Sequence, residues 1–144
     1  MNPFGRSDFA RVIVTGSTTW DDTAMVESVL HCLAKHASLR GHPFQVLTGM
    51  ADGADAIARD WADALHVQLH AEPLAAGTYP EPMHRYNEEL LRLQPDVVIA
   101  FKEEFAEDWD VATCIRGTEH MCRIACEAGI PVYLNGWHRL SGKA

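Results

Sequence analysis

Arg116-Gly117-Thr118-Glu119-His120 combines the residue types that hold an anion with two that move a proton. Gly117 and Thr118, at the start of a helix, offer free backbone N–H groups and a hydroxyl, a setting that suits phosphate. Arg116 adds a fixed positive charge, Glu119 is a candidate general acid or base, and His120 is a second group for proton transfer. Two further turns carry glycine directly behind apolar runs. Thr15-Gly16-Ser17-Thr18-Thr19-Trp20 lets the backbone approach a ligand with no Cβ in the way, and Trp20 is a candidate either to stack on a base or merely to cover the sheet edge. Gly49-Met50-Ala51-Asp52-Gly53-Ala54-Asp55 opens a helix with small residues, and Asp55 is a helix cap or a partner for a ribose hydroxyl. A third group, His84-Arg85-Tyr86-Asn87, begins another helix. Arg85 suits a phosphate or carboxylate, and Asn87 a specific hydrogen bond.

These residues need a scaffold, and the periodicities supply one. Val12–Val14, Phe44–Leu47, Val67–Ala71, Val97–Phe101 and Ile130–Leu134 read as short strands, the third near a sheet edge. Apolar residues at helical spacing follow: Met25 to Ala37, Ala54 to Leu65, Met83 to Leu93, and Thr118 to Ala128 with Gly129 as the stop. Alternating strands and helices predict an α/β fold, a Rossmann-like three-layer sandwich with a mainly parallel sheet of about five strands. In such sheets ligands sit outside the carboxyl ends of the strands, which is where all three glycine turns are expected. Residues 1–10 read as a flexible arm and 11–140 as one domain. The 102–115 segment is a long acidic loop, a ligand loop or a solvated surface.

Composition narrows the function. The chain has 144 residues and a net charge of −8, with 12 scattered Lys and Arg, so a nucleic-acid partner is not expected. No apolar run approaches ~20 residues, so no membrane span is expected. The start of the chain has no hydrophobic signal segment, and we expect a cytoplasmic protein. Cys32, Cys114, Cys122 and Cys126 match no common zinc spacing; we expect small buried residues and neither a metal nor a cofactor. Gly-x-Gly-x-x-Gly and the Walker Gly-Lys-Ser/Thr are both missing, which argues against dinucleotide-dependent and triphosphatase chemistry.

Val12-Ile13-Val14-Thr15-Gly16-Ser17 with Trp20, Thr48-Gly49 with Gly53-Ala54-Asp55, Asn87, Arg116-Gly117-Thr118 and Ala128-Gly129-Ile130-Pro131-Val132 stand in this order. The set resembles the SLOG superfamily of Rossmann-like nucleotide-binding domains, in its YspA (cpYpsA-related) branch from bacteria and their phages. More distantly it resembles the Lonely Guy phosphoribohydrolases. The resemblance implies a nucleotide or nucleotide-derivative site at the carboxyl edge of the sheet, with Gly16, Ser17, Trp20, Gly49, Gly53, Ala54, Asp55, Asn87, Arg116, Gly117 and Thr118 around it. Phosphate would lie on the Gly117-Thr118 helix end and the base near Trp20. It also implies a homo-oligomer paired through helices.

Lonely Guy enzymes cleave the N-glycosidic bond of nucleoside 5′-monophosphates with an Arg and the Glu of Pro-Gly-Gly-x-Gly-Thr-x-x-Glu. Here Met121 stands at that Glu and Cys114-Ile115-Arg116 precede Gly117. Tyr86, not Arg, precedes Asn87. The leading expectation is a binding or sensing module. The alternatives are an N-glycosyl hydrolase using Arg85, Glu119 and His120, and an interaction protein that keeps the fold with a degenerate site.

Overall fold

Six strands and four helices alternate along the chain in a computed structural model that describes residues 10–141. The arm expected at residues 1–10 therefore lies, except for Ala10, outside the described residues. The elements are β1 (Arg11–Gly16), α1 (Thr23–Leu39), β2 (Gln45–Gly49), α2 (Ala54–Ala64), β3 (Gln68–Glu72), α3 (Glu81–Arg92), β4 (Val97–Phe101), α4 (Gly117–Glu127), β5 (Val132–Leu134) and β6 (His138–Leu140). They form one sheet in the order β3-β2-β1-β4-β5-β6. All neighbours are parallel except β5 and β6.

The period of two along each strand splits the core between the faces. Val12, Val14, Val46, Val97, Ile99 and Phe101 point to one side, where Val26, Leu30 and Leu33 of α1 and Ala58, Trp61 and Ala62 of α2 cover them. Ile13, Leu47, Val98, Ala100 and Val132 point to the other, under Tyr86 and Leu90 of α3 and Met121, Cys122 and Ala125 of α4. This is the three-layer α/β sandwich the sequence predicts. Every residue of β4 is buried, as a central parallel strand requires.

Local chemistry sets the ends. Asp22 caps α1 through its side chain, which accepts from the Met25 N–H. The α3 helix starts two residues before the expected Met83, because Pro82 fits a first turn whose N–H groups need no helical partner. Asp96 Oδ2 accepts from the backbone of Ala10 and Arg11, each at 2.9 Å, which pins the start of β1 beside β4.

The strand missing from the sequence reading is β6. Asn135 at φ 49° and Gly136 at φ 105° turn the chain back on itself after β5. Asn-Gly is a strong hairpin signal, but β6 is three residues long and carries no alternating apolar pattern. Asn135 does more than turn the chain. Its Oδ1 accepts from the Lys102 N–H at 2.8 Å and its Nδ2 donates to the Lys102 carbonyl at 2.9 Å, which clamps the residue that follows β4.

Candidate functional site

A cavity of about 670 Å³ opens at the carboxyl ends of the strands. Its floor follows the strand ends: Gly16–Thr18 after β1, Gly49–Ala51 after β2, Pro73 and Leu74 after β3, and Lys102 after β4. Tyr79, Met83, Tyr86 and Asn87 wall it from the α3 side, and Arg116, Gly117, Thr118 and Met121 from α4. Strand order reverses between β1 and β4, because β2 and β3 lie to one side of β1 while β4 and β5 lie to the other. The helices on the two sides part there, and the crevice they leave is where open α/β sheets bind ligands.

The first two glycine turns hold each other. A Cβ on Gly16 would stand 2.2 Å from the Phe101 carbonyl and 2.7 Å from the Ala54 Cβ. Gly53 has φ 70°, and a Cβ there would lie 2.1 Å from the Ser17 carbonyl. That carbonyl also accepts from the Ala54 N–H at 3.1 Å, so the α2 N-terminus is docked on the β1 turn. Gly53 and Ala54 therefore do not line the cavity; they let the two turns meet. Ser17 and Thr19 share a 2.6 Å hydroxyl contact, and Thr19 donates to Glu103. Arg59, which the sequence reading did not single out, donates to the carbonyls of Gly49 and Ala51, each at 2.8 Å. It braces the second turn from within α2.

Asp55 lines the cavity and is 9% exposed. Burial raises its carboxyl to about 6, against the opposing pull of the Thr48 hydroxyl, the Ala51 backbone, the Arg59 guanidinium and the Gly49 backbone. The Tyr86 hydroxyl donates to the Thr48 carbonyl at 2.5 Å and accepts from the Glu72 N–H at 3.1 Å, tying α3 to the ends of β2 and β3. Burial raises the Tyr86 phenol as well.

Three residues expected to do chemistry lie away from the cavity. Arg85 is on the exposed face of α3, paired with Glu81 at 2.9 Å, because one residue of helix separates it from the inward Tyr86. Glu119 is fully buried. Its carboxylate receives Lys102 Nζ at 2.7 and 2.8 Å and the Ala106 N–H at 2.9 Å, so it anchors the start of the acidic loop. His120 is buried between the helices and stacks on His84 with ring centres 3.9 Å apart. Burial, then the charges of His84 and Arg123, lower it to about 4. The Asn87 amide nitrogen can only donate, so His120 accepts at Nδ1 over 3.0 Å and is neutral with its proton on Nε2. Asn87 also donates to the Gly117 carbonyl at 3.1 Å, fastening the start of α4 to α3.

Trp20 is a core residue. It packs on Phe101 with ring centres 5.7 Å apart, donates from Nε1 to the Asp22 carbonyl, and does not line the cavity. Among the residues that line it and escaped the sequence reading are Tyr79, Pro73, Leu74 and Lys102. Their one advance signal was position: Lys102 directly follows β4, and Tyr79 and Leu74 sit in the proline-rich connection. Among the described residues the charged lining groups are Asp55, Lys102 and Arg116. Lys102 is already neutralised by Glu119, whereas Arg116 is exposed and only 3.7 Å from an equally exposed Asp108. Among the described residues no group of His, Cys, Asp and Glu could hold a metal ion. Cys122 is buried and its thiol is pushed well up by that burial.

A mostly parallel sheet with its cavity at the strand-order switch defines a Rossmann-like α/β domain. Residues 10–76 match the family described as YspA, cpYpsA-related SLOG, the branch that the motifs resemble. The matched segment holds the Gly16 and Gly49–Asp55 turns; Asn87 and Arg116–Thr118 lie beyond it. No curated protein matches the chain.

Proposed function

We propose that this protein binds a nucleotide or nucleotide derivative in the cavity, as a sensing or binding module. The observation that carries the reading is the convergence of the α4 N-terminus, Arg116 and the hydroxyl-bearing β1 turn on one cavity at the sheet switch point. A phosphate there would meet free N–H groups at Gly117 and Thr118 and a guanidinium whose present partner is weak and solvated. The match of residues 10–76 to the SLOG family is compatible with this reading.

The test is a panel of nucleotides and ADP-ribose-type ligands at millimolar concentration. A ligand at a hundred times its Kd stabilises the fold by about 2.7 kcal/mol, which reads as a clear rise in Tm. A flat response across the panel would sink the proposal. Turnover is not expected, because Met121 lines the cavity where Lonely Guy enzymes carry glutamate, and Glu119 is committed to Lys102.

One observation favours a second reading, N-glycosyl hydrolysis. Asp55 is a cavity carboxyl raised to about 6, which suits a group that protonates a leaving base near neutral pH. Release of free base from nucleoside monophosphates, lost in Asp55→Asn, would favour hydrolysis over simple binding.

A further inference from the structure

The cavity has two unlike ends, and strand order sets them apart. From β3 to β4 is three strand spacings, roughly 14 Å, about the length of an extended nucleoside monophosphate. Both lining cations, Lys102 and Arg116, belong to the β4–α4 end, and α4 packs on β1, β4 and β5. At the β2–β3 end the lining residues include Met50, Ala51, Pro73 and Leu74.

The apolar residues of that rim are exposed in a way the fold does not require. Met50 is 51% exposed and Leu74 48%, and both line the cavity. Tyr79 also lines it, but its hydroxyl donates at 3.1 Å to the carbonyl of Ile115, next to Arg116, which ties it to the α4 end. Large apolar side chains that cluster at the mouth of one cavity, when they could be polar at no cost to the core, mark a contact surface. A thioether and a branched alkyl group suit a flat heterocycle, which gains contact area without needing charge.

We propose that the β2–β3 end of the cavity, rimmed by Met50 and Leu74, is the nucleobase subsite, with the phosphate at the α4 end. The inference rests on the nucleotide reading above and moves the base away from Trp20. It commits the ligand to lie along the sheet edge with its polar end over β4. The rim offers an apolar surface to every base, so affinity follows contact area, and purines bind more tightly than pyrimidines.

The experiment is calorimetric titration of AMP, CMP and ribose 5-phosphate into the wild-type protein and the M50A/L74A variant. Wild type is expected to bind AMP at least about tenfold more tightly than ribose 5-phosphate. M50A/L74A changes only exposed side chains; it should weaken AMP about tenfold and leave ribose 5-phosphate within twofold. Unchanged AMP affinity in M50A/L74A, or an equal loss for AMP and ribose 5-phosphate, overturns the subsite and leaves the nucleotide reading standing. A wild-type protein that binds neither overturns both.

Discussion

Asp55 and His120 are buried groups whose charge the fold resists, and they act in opposite directions with pH. The Asp55 carboxyl has its folded value near 6, above its ordinary 3.8. The folded state therefore holds a proton that the unfolded chain has lost, and its contribution is full below about 4 and gone above about 6. At pH 8 the ionised carboxylate costs stability, so Asp55→Asn should raise Tm there, by an equivalent of up to about 3 kcal/mol, and match wild type at pH 4. His120 has its folded value near 4, below its ordinary 6.5. Its contribution is full above about 6.5 and lost as pH falls toward 4, because the unfolded chain takes the proton first. His120→Gln should flatten that acid-side loss, measured as the urea midpoint from pH 7 to 4.5. Wild type should show the two effects partly cancelled, with each single variant uncovering the other. A carboxyl kept at a cost in stability, on the wall of a cavity, is more readily explained by use than by packing.

At the scale of elements, α4 is tied to its neighbours by polar contacts that the helix pattern alone hides. Lys102 and Glu119 form a buried pair, 2.7 Å apart, that joins the end of β4 to the first turn of α4 and, through the Ala106 N–H, to the 102–115 loop. Breaking one member of such a pair leaves the other charge buried and unpaired. Lys102→Met and Glu119→Gln should each cost about 3–5 kcal/mol in urea unfolding, whereas the double variant should cost clearly less than their sum. An additive result would show that the two side chains do not depend on each other. Gly53 has the matching role between β1 and α2: the Ser17 carbonyl occupies the place a side chain would take. These joints decide the shape of the cavity, and only a minority of their members touch it.

At the scale of the molecule, the site exists because one sheet brings distant turns to one edge. Arg116 is exposed and has little to do with stability, so Arg116→Ala should leave Tm within a degree and weaken nucleotide binding at least about tenfold by calorimetry. Much of this was legible in the chain. Strand and helix periods determined the sandwich, since a buried parallel strand such as Val97–Phe101 and an amphipathic helix such as Ala54–Ala64 announce themselves locally. The turns at Gly16 and Gly49 were also readable, because a glycine directly behind an apolar strand has few other reasons to be there. The sequence could not show which side of a helix a neighbouring strand would cover. Arg85, Glu119 and His120 sit among residues that line the cavity, yet a helix turns about 100° per residue, so adjacent positions face different surroundings. That rotation, together with the reversal of strand order at β1 and β4, sent Glu119 to Lys102, His120 to His84, and Trp20 to Phe101. It left Asp55, Tyr79 and Arg116 facing the cavity. The sequence by itself determined the layers and the edge at which a ligand would sit. Tertiary packing alone decided which side chains would meet it, because facing is a property of two elements and a sequence pattern describes only one.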